Sequence, residues 1–423
     1  MRILQVHDHY LPCGGAEVYF TDIINSLEEK GLEIAVLYSA MKGNAYESSR
    51  RKEYFIPPSP GLLRGLSLLK EVRKIVKEIN PDIIHIHGFH GYTSPVVVRE
   101  MLRMRPTIHT AHDIMTFCLN RRKIYNPENN ICKRPVGWGC LTSGCIGFSE
   151  KGSVISTLKN IIIQNTEMRQ YRKLIKIIVA SKYMRDELVR NRVSIENIEV
   201  LYYYLNVEND WFNWREKEEK SNIILYVGRI EKNKGVGELI DILSLIQDIQ
   251  WRAKIIGYGS YECEVRRKID AVGLSSKIDL VGHIQHSNLS QYYNEAAVVV
   301  VPSIYPEPFG LIGIEAMYFG KPVVAFDVGG ISEWLKDGEN GFLVKFPDKK
   351  QFAERIKLLL EDSSLAEKFG RNGKEMVKRF LNKEEHISRL LQIYHEVIDM
   401  WQSDTETKGE LKDAQKVIVQ NFT

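Results

Sequence analysis

Membrane spans, nucleotide-hydrolase loops and acidic metal-binding pairs are all missing from this 423-residue chain. No apolar run approaches the roughly 20 residues that a membrane-crossing helix needs. The opening Met1-Arg2-Ile3-Leu4-Gln5-Val6-His7-Asp8 meets a histidine and an acid too early for the apolar core of a signal peptide, so a cytoplasmic protein is expected. The Walker glycine-lysine-serine loop and the dinucleotide-binding glycine pattern are both lacking, which argues against an ATPase and a dehydrogenase. No Asp-x-Asp occurs before the polar tail. There is no zinc-finger or RNA-binding signature, and no basic run interleaved with aromatics, so nucleic acid is not an expected partner.

Apolar residues make up 44% of the chain, enough for large cores, and the length favours two or three domains. Net charge is only +4, but residues 1–205 carry 29 Lys+Arg against 20 Asp+Glu, which leaves the remainder at −5. A basic first half fits a membrane surface or an anionic substrate, and scattered solubilising charge explains it equally well.

The pattern of short apolar runs alternating with helical periodicity predicts strands at 3–6, 33–38, 82–86, 106–109 and 177–180, with helices at 16–30, 66–79 and 181–191. After a charged stretch at 211–221 the pattern restarts. Strands are expected at 222–227, 253–256, 277–280, 298–301 and 322–325, and a helix at about 236–247. Such alternation means parallel, doubly wound sheets, here two Rossmann-like units. We place the first domain at 1–205 and the second at 206–383. A helical run near 384–402 is expected to pack back on the first domain, with residues 403–423 as a polar, mobile tail. Ligands of such sheets bind at the carboxyl ends of the strands, so two facing sheets would share one cleft.

The most informative stretch is Glu307-Pro308-Phe309-Gly310-Leu311-Ile312-Gly313-Ile314-Glu315. Pro308 and Gly310 read as loop, and residues 311–319 as a short helix closed by Gly320 and Pro322. Two carboxylates therefore bracket a helix N-terminus. The free N–H groups there favour a phosphate, and each carboxylate can accept hydrogen bonds from sugar hydroxyls. Gly228-Arg229-Ile230-Glu231-Lys232-Asn233-Lys234-Gly235 joins a strand to a helix and puts two cations, Arg229 and Lys234, at its mouth, suited to a diphosphate. Gly14-Gly15 lies in the first strand-to-helix loop.

With those motifs in order, the chain resembles the family-4 retaining glycosyltransferases of the GT-B fold, over residues 2 to about 401. The resemblance rests on Gly14-Gly15-Ala16-Glu17, His112-Asp113, Gly228-Arg229 with Lys234-Gly235, Gly257-Tyr258-Gly259, and Gly282-His283-Ile284. It continues through Pro302-Ser303, the Glu307/Glu315 pair and Val328-Gly329-Gly330-Ile331-Ser332-Glu333. It implies an α/β fold of two Rossmann-like domains facing across a cleft, and transfer of a sugar from a UDP or GDP donor to a hydroxyl acceptor. Glu315 would hold the ribose, Glu307 the donor sugar, Arg229 and Lys234 the diphosphate, and His112 a sugar hydroxyl beside the reacting carbon. Gly14 and Gly15 would meet phosphate. Gly228, Gly257, His283, Ile284, Phe309, Gly310 and Leu311 would line the donor site, with His87, His90 and Asp113 on the acceptor side. No metal or other cofactor would be needed for the chemistry, because cations and helix N–H groups take up the charge of the leaving diphosphate. A glycan or lipid-linked acceptor is implied. One departure stands out: where the family has an Asn-Gly turn near the hinge, this chain reads Leu201-Tyr202-Tyr203-Tyr204-Leu205-Asn206.

Cys118, Cys132, Cys140 and Cys145 cluster in a loop after His112-Asp113. Four thiolates suit structural zinc, free thiols are the alternative, and the loop could instead shape the acceptor pocket. The stretch from Leu62 through Arg73, Lys74 and Lys77 has the make-up of a basic amphipathic helix, either resting on anionic lipid at the inner membrane face or facing the core with a solvated side. Two other readings are weighed: a sugar-nucleotide epimerase of similar fold, and a non-catalytic partner that binds sugar nucleotide or glycan.

Overall fold

The computed structural model describes residues 1–10, 14–39, 51–58, 62–88, 93–114, 117–118, 123–125, 130–140, 154–205, 221–380 and 382–421. His90, Cys145, Cys13 and Asn206 lie outside them.

The first sheet takes β1 (Arg2–His7), β2 (Glu33–Tyr38), β3 (Lys52–Phe55), β4 (Ile83–Ile86) and β5 (Thr107–Ala111). A short antiparallel pair, β6 (Ile124–Tyr125) with β7 (Asn130–Ile131), stands apart from it. β8 (Lys176–Val179) and β9 (Ile198–Val200) then complete the sheet in the order β3-β2-β1-β4-β5-β8-β9. All its pairings are parallel. The second sheet is formed by β10 (Ile223–Val227), β11 (Arg252–Ile256), β12 (Ile278–Gly282), β13 (Ala296–Val301), β14 (Val323–Phe326) and β15 (Gly341–Val344), in the order β12-β11-β10-β13-β14-β15, again all parallel. Both orders reverse direction beside their first strand, so each sheet has a switch point, at β1/β4 and at β10/β13. Central strands such as β4 and β5 are buried along their whole length, as sheets covered by helices on both faces require.

The expected strands and helices form, with ends shifted by a few residues. The edges β3, β9 and β15 carry no signal that we read, because they are short or, in β3, polar: Lys-Glu-Tyr-Phe. One correction concerns the C-terminus. The ordered chain was expected to stop near Gln402, yet the last helix runs Lys383–Asn421. Its polar extension carries Glu406, Lys408, Glu410, Lys412 and Lys416, residue types that favour helix without needing burial.

That helix returns to the first domain. Tyr394 is buried against it, Lys30 pairs with Glu384 at 2.8 Å, and Arg389 reaches Glu199 at 2.8 Å. From the other direction, Tyr305, in the loop after β13, is buried in the apolar cluster of the first domain.

Candidate active site

The loops leaving β10 and β13 are laced together. Asn233 accepts backbone hydrogen bonds from Ile304 and Tyr305, each at 3.2 Å. Gly235 sits in the left-handed region at φ 71°, and a Cβ there would lie 1.8 Å from the Pro302 carbonyl oxygen, so only glycine allows the two loops to meet. The approach aims Lys234 at Glu307: Nζ lies 2.7 Å from Oε1, and the Ser303 hydroxyl donates to the same oxygen. Glu307 is buried. Its Oε2 has no hydrogen-bond partner among the described residues. The backbone of Glu307 is gripped by the loop after β14. Gly330 N–H donates to its carbonyl at 2.7 Å, and at Gly329 (φ 65°) a Cβ would stand 2.2 Å from that oxygen.

Glu315 lies on the helix Leu311–Tyr318 and is also buried. Tyr293 donates its hydroxyl to Oε2 at 2.6 Å, and His286 Nε2 approaches Oε1 at 3.2 Å. Neither partner was singled out from the sequence. His286 sits in a polar turn after β12 that carries no motif of its own. The glycine-rich loops beyond β11 and β12 lie side by side: Gly257 N–H donates to Gly282 O at 2.8 Å, and Gly228 N–H to Ile256 O at 3.0 Å. Tyr258, exposed, meets His283 edge-on with ring centroids 5.3 Å apart, while Ile284 is part-buried against the core.

Two helix N-termini converge on this region. Gly14 caps the helix Gly15–Glu29, Gly310 caps Leu311–Tyr318, and neither cap has a side-chain hydrogen bond. A Cβ on Gly15 would lie 3.5 Å from Leu311 Cδ1, so the first domain's glycine loop rests on the first turn of the second domain's helix. Unpaired N–H groups from both domains therefore face the same space. Arg229 is exposed, and its side chain makes no ion pair or hydrogen bond among the described residues. It lies close enough to Glu17 to act on that carboxyl, whose pKa burial raises; His9 and Arg229 oppose the rise and Asp113 reinforces it. Arg229, Glu17 and Asp113 thus share the cleft.

His112, just past β5, has both ring nitrogens engaged, Nδ1 with Tyr203 Oη at 2.6 Å and Nε2 with His87 Nδ1 at 3.1 Å, so the hydrogen bond to a sugar hydroxyl expected of it has no free ring nitrogen in this arrangement. His87 is itself buried, and its Nε2 meets Gln5 Oε1 at 2.9 Å. The sequence led us to put His87 on the acceptor side; it stands behind His112, because burial and two internal hydrogen bonds leave neither nitrogen for a ligand. Burial, with His85 and His112 adding to it, holds its pKa well below the usual histidine range. Phe309, expected at the donor, turns its ring to the hinge. It stacks on Tyr202 at 5.5 Å and meets Tyr203 edge-on at 5.8 Å.

Cys118, Cys132 and Cys140 are free thiols around the buried Lys123, whose backbone N–H donates to Cys118 Sγ at 3.2 Å. The Lys123 ammonium pairs with Glu187 at 3.0 Å. Among the described residues no group of three or more His, Cys, Asp or Glu side chains is arranged to hold a metal ion.

Two Rossmann-like sheets, with a carboxylate–lysine pair and two helix N-termini at the carboxyl ends of their strands, fit a glycosyltransferase. The comparisons agree. The model for Glycosyltransferase Family 4 matches residues 13–208, and that for glycosyl transferases group 1 matches residues 207–376. An uncharacterized glycosyltransferase of Methanocaldococcus jannaschii is 27% identical over 411 residues, covering 94% of this chain and 99% of the relative. The capsular polysaccharide biosynthesis glycosyltransferase CapM of Staphylococcus aureus is 32% identical over 219 residues, 48% of this chain and 56% of that one. The Anabaena HepE structure, solved with UDP and glucose, superposes with a TM-score of 0.67 at 20% identity, over 92% of this chain and 98% of that one. The chain belongs to the family-4 glycosyltransferases, with the GT-B fold.

Proposed function

We propose that this glycosyltransferase takes a sugar from a UDP or GDP donor and gives it to a hydroxyl of a cell-surface glycan or glycolipid, with retention at the anomeric carbon and without a metal. The observation that carries the reading is the Lys234–Glu307 pair beside two converging helix N-termini, with Arg229 exposed on the same loop as Lys234. Glu307 Oε2 is open to a sugar hydroxyl, and Glu315 to the ribose. Lys234, Arg229 and the N–H groups of Gly15 and Leu311 stabilise the departing diphosphate. The anomeric carbon–oxygen bond to phosphate breaks as the acceptor oxygen bonds on the same face, and the acceptor proton passes to the diphosphate oxygen. The capsular relative and the UDP-and-glucose complex support the acceptor and donor classes. Thermal shift across nucleotide diphosphates and sugar nucleotides names the donor. NMR of the product anomer, with and without EDTA, tests retention and metal independence. An inverted product, or activity lost to EDTA, would overturn the corresponding part.

A second observation favours docking at an anionic membrane surface. On the helix Leu62–Ile79, one solvent-facing arc holds Leu63 (83% exposed) and Leu66 (54% exposed) beside Lys70, Arg73, Lys74 and Lys77. Among the described residues no helix is long and apolar enough to cross a membrane. Co-sedimentation with phosphatidylglycerol vesicles, lost on Leu63→Ser/Leu66→Ser and absent with phosphatidylcholine alone, is the expected outcome.

A further inference from the structure

The hinge tyrosines that replace the family's Asn-Gly turn touch both the candidate site and the boundary between the domains. We propose that Tyr203 is a positioning residue, whose hydroxyl holds the His112 ring and makes the placement of that ring depend on closure of the two domains. The inference rests on the reading of His112 as part of the transfer site, there as a fixed ring beside the donor sugar and not as a ring nitrogen bonded to a sugar hydroxyl.

The direction of each hydrogen bond follows from Gln5. Its Nε2 donates to Tyr394 Oη at 3.3 Å, so its Oε1 accepts from His87 Nε2–H at 2.9 Å. His87, neutral in its buried setting, then has an unprotonated Nδ1 that accepts from His112 Nε2–H. The neutral His112 ring is left with Nδ1 as an acceptor, and Tyr203 O–H supplies its proton at 2.6 Å. Tyr203 also lies nearly parallel to the His112 ring, 5.8 Å centroid to centroid. The ring is thus fixed in tautomer by His87 and in orientation by Tyr203.

Closure enters through the same short segment. The Tyr203 ring stands edge-on to Phe309 of the second domain, and the adjacent Tyr202 stacks on Phe309 and donates to Glu333 Oε2 at 3.0 Å. Glu333, also of the second domain, accepts from the backbone N–H groups of Lys182 and Tyr183, each at 2.9 Å, at the start of a first-domain helix. Opening the cleft would pull Phe309 and Glu333 away from Tyr202 and Tyr203, and His112 would lose the support that sets its angle.

The test is a kinetic cycle with Tyr203→Phe, His112→Ala and the double variant, using the full chain and the donor found by thermal shift. Tyr203→Phe keeps the ring and removes the hydroxyl, and a thermal melt checks that it folds. The expected result is a kcat at least tenfold lower with donor KM within twofold, and a double variant no slower than His112→Ala alone. Histidine-¹⁵N NMR, with the His112 signals identified by their loss in His112→Ala, should report an Nε2–H tautomer whose Nδ1 shift moves in Tyr203→Phe. Glu333→Gln should lower kcat alone and add little to Tyr203→Phe. Unchanged kcat in Tyr203→Phe, or losses that multiply in the double variant, would overturn the proposal while leaving the transfer site intact. Full activity in His112→Ala would remove the assigned role of His112 itself, and the proposal with it.

Discussion

Lys234 Nζ and Glu307 Oε1 lie 2.7 Å apart, each delivered by a loop at the switch point of the second sheet. The lysine charge is therefore shared before any donor arrives. A carboxylate that holds sugar hydroxyls and a cation that holds phosphate are set side by side, and each keeps the other in place. Lys234→Ala leaves a buried carboxylate with only Ser303 beside Oε1, so both stability and rate should suffer. Breaking such a pair costs about 3 kcal/mol, and losing the phosphate cation lowers kcat about 100- to 1,000-fold. Glu307→Gln should retain nucleotide-diphosphate affinity within a few-fold and lose sugar-nucleotide turnover. Calorimetric titration beside steady-state kinetics separates the two.

Glu315 is oriented by Tyr293 and His286 before ligand binds. Removing either partner should weaken nucleotide binding without touching the chemical step, by about 1 kcal/mol for the neutral hydroxyl. Tyr293→Phe and His286→Ala are expected to raise Kd for the nucleotide diphosphate several-fold while kcat at saturating donor stays within twofold.

Glu333→Ala strips two backbone N–H groups of the helix Lys182–Arg190 of their carboxylate and frees Tyr202. The loss of a cap costs about 1 kcal/mol. Because this cap spans the two domains, the radius of gyration in small-angle scattering should rise in the ligand-free protein and fall back when donor is added.

Acid should unfold the first domain early. Burial pushes the pKa of His85 down to about 3 and of His386 to about 4, and that of His87 well below 6.5. In the unfolded chain each takes a proton near pH 6.5, so between that value and the depressed folded values the unfolded state binds more protons. Stability is full above about pH 6.5 and falls as pH drops, by up to about 1.4 kcal/mol per pH unit for each ring. Denaturant midpoints at pH 7.5, 6 and 5 check the slope. Replacing His386 by Gln should flatten it.

The two sheets and the Glu307/Glu315 pair were legible because apolar runs and strand-to-helix loops are local features. What escaped the sequence depends on distance along the chain. The ring of Phe309 reads as a donor-side residue from its motif, yet it turns to Tyr202, more than 100 positions earlier, because the hinge offers an aromatic face there. His87 follows a strand end, where ligands gather, but Gln5 and His112 claim both its nitrogens. His286 became visible only once folding brought it to Glu315. The tyrosine run was visible as a departure from a family turn; its contacts were not.

The helix that begins at Lys383 carries Tyr394, which lies 2.7 Å from His85 Nδ1 and accepts from Gln5, and His386, which accepts from the Tyr19 hydroxyl and donates to Tyr202 O. Residues 5, 19 and 85 leave the ribosome hundreds of residues before these partners exist. During synthesis the first domain holds buried polar groups that still lack their partners on this helix, while the second domain, whose strands all lie between 223 and 344, can close on its own. The domain that starts first is the one that finishes last, and a chain cut short before its final helix would leave the site's histidine row unsupported.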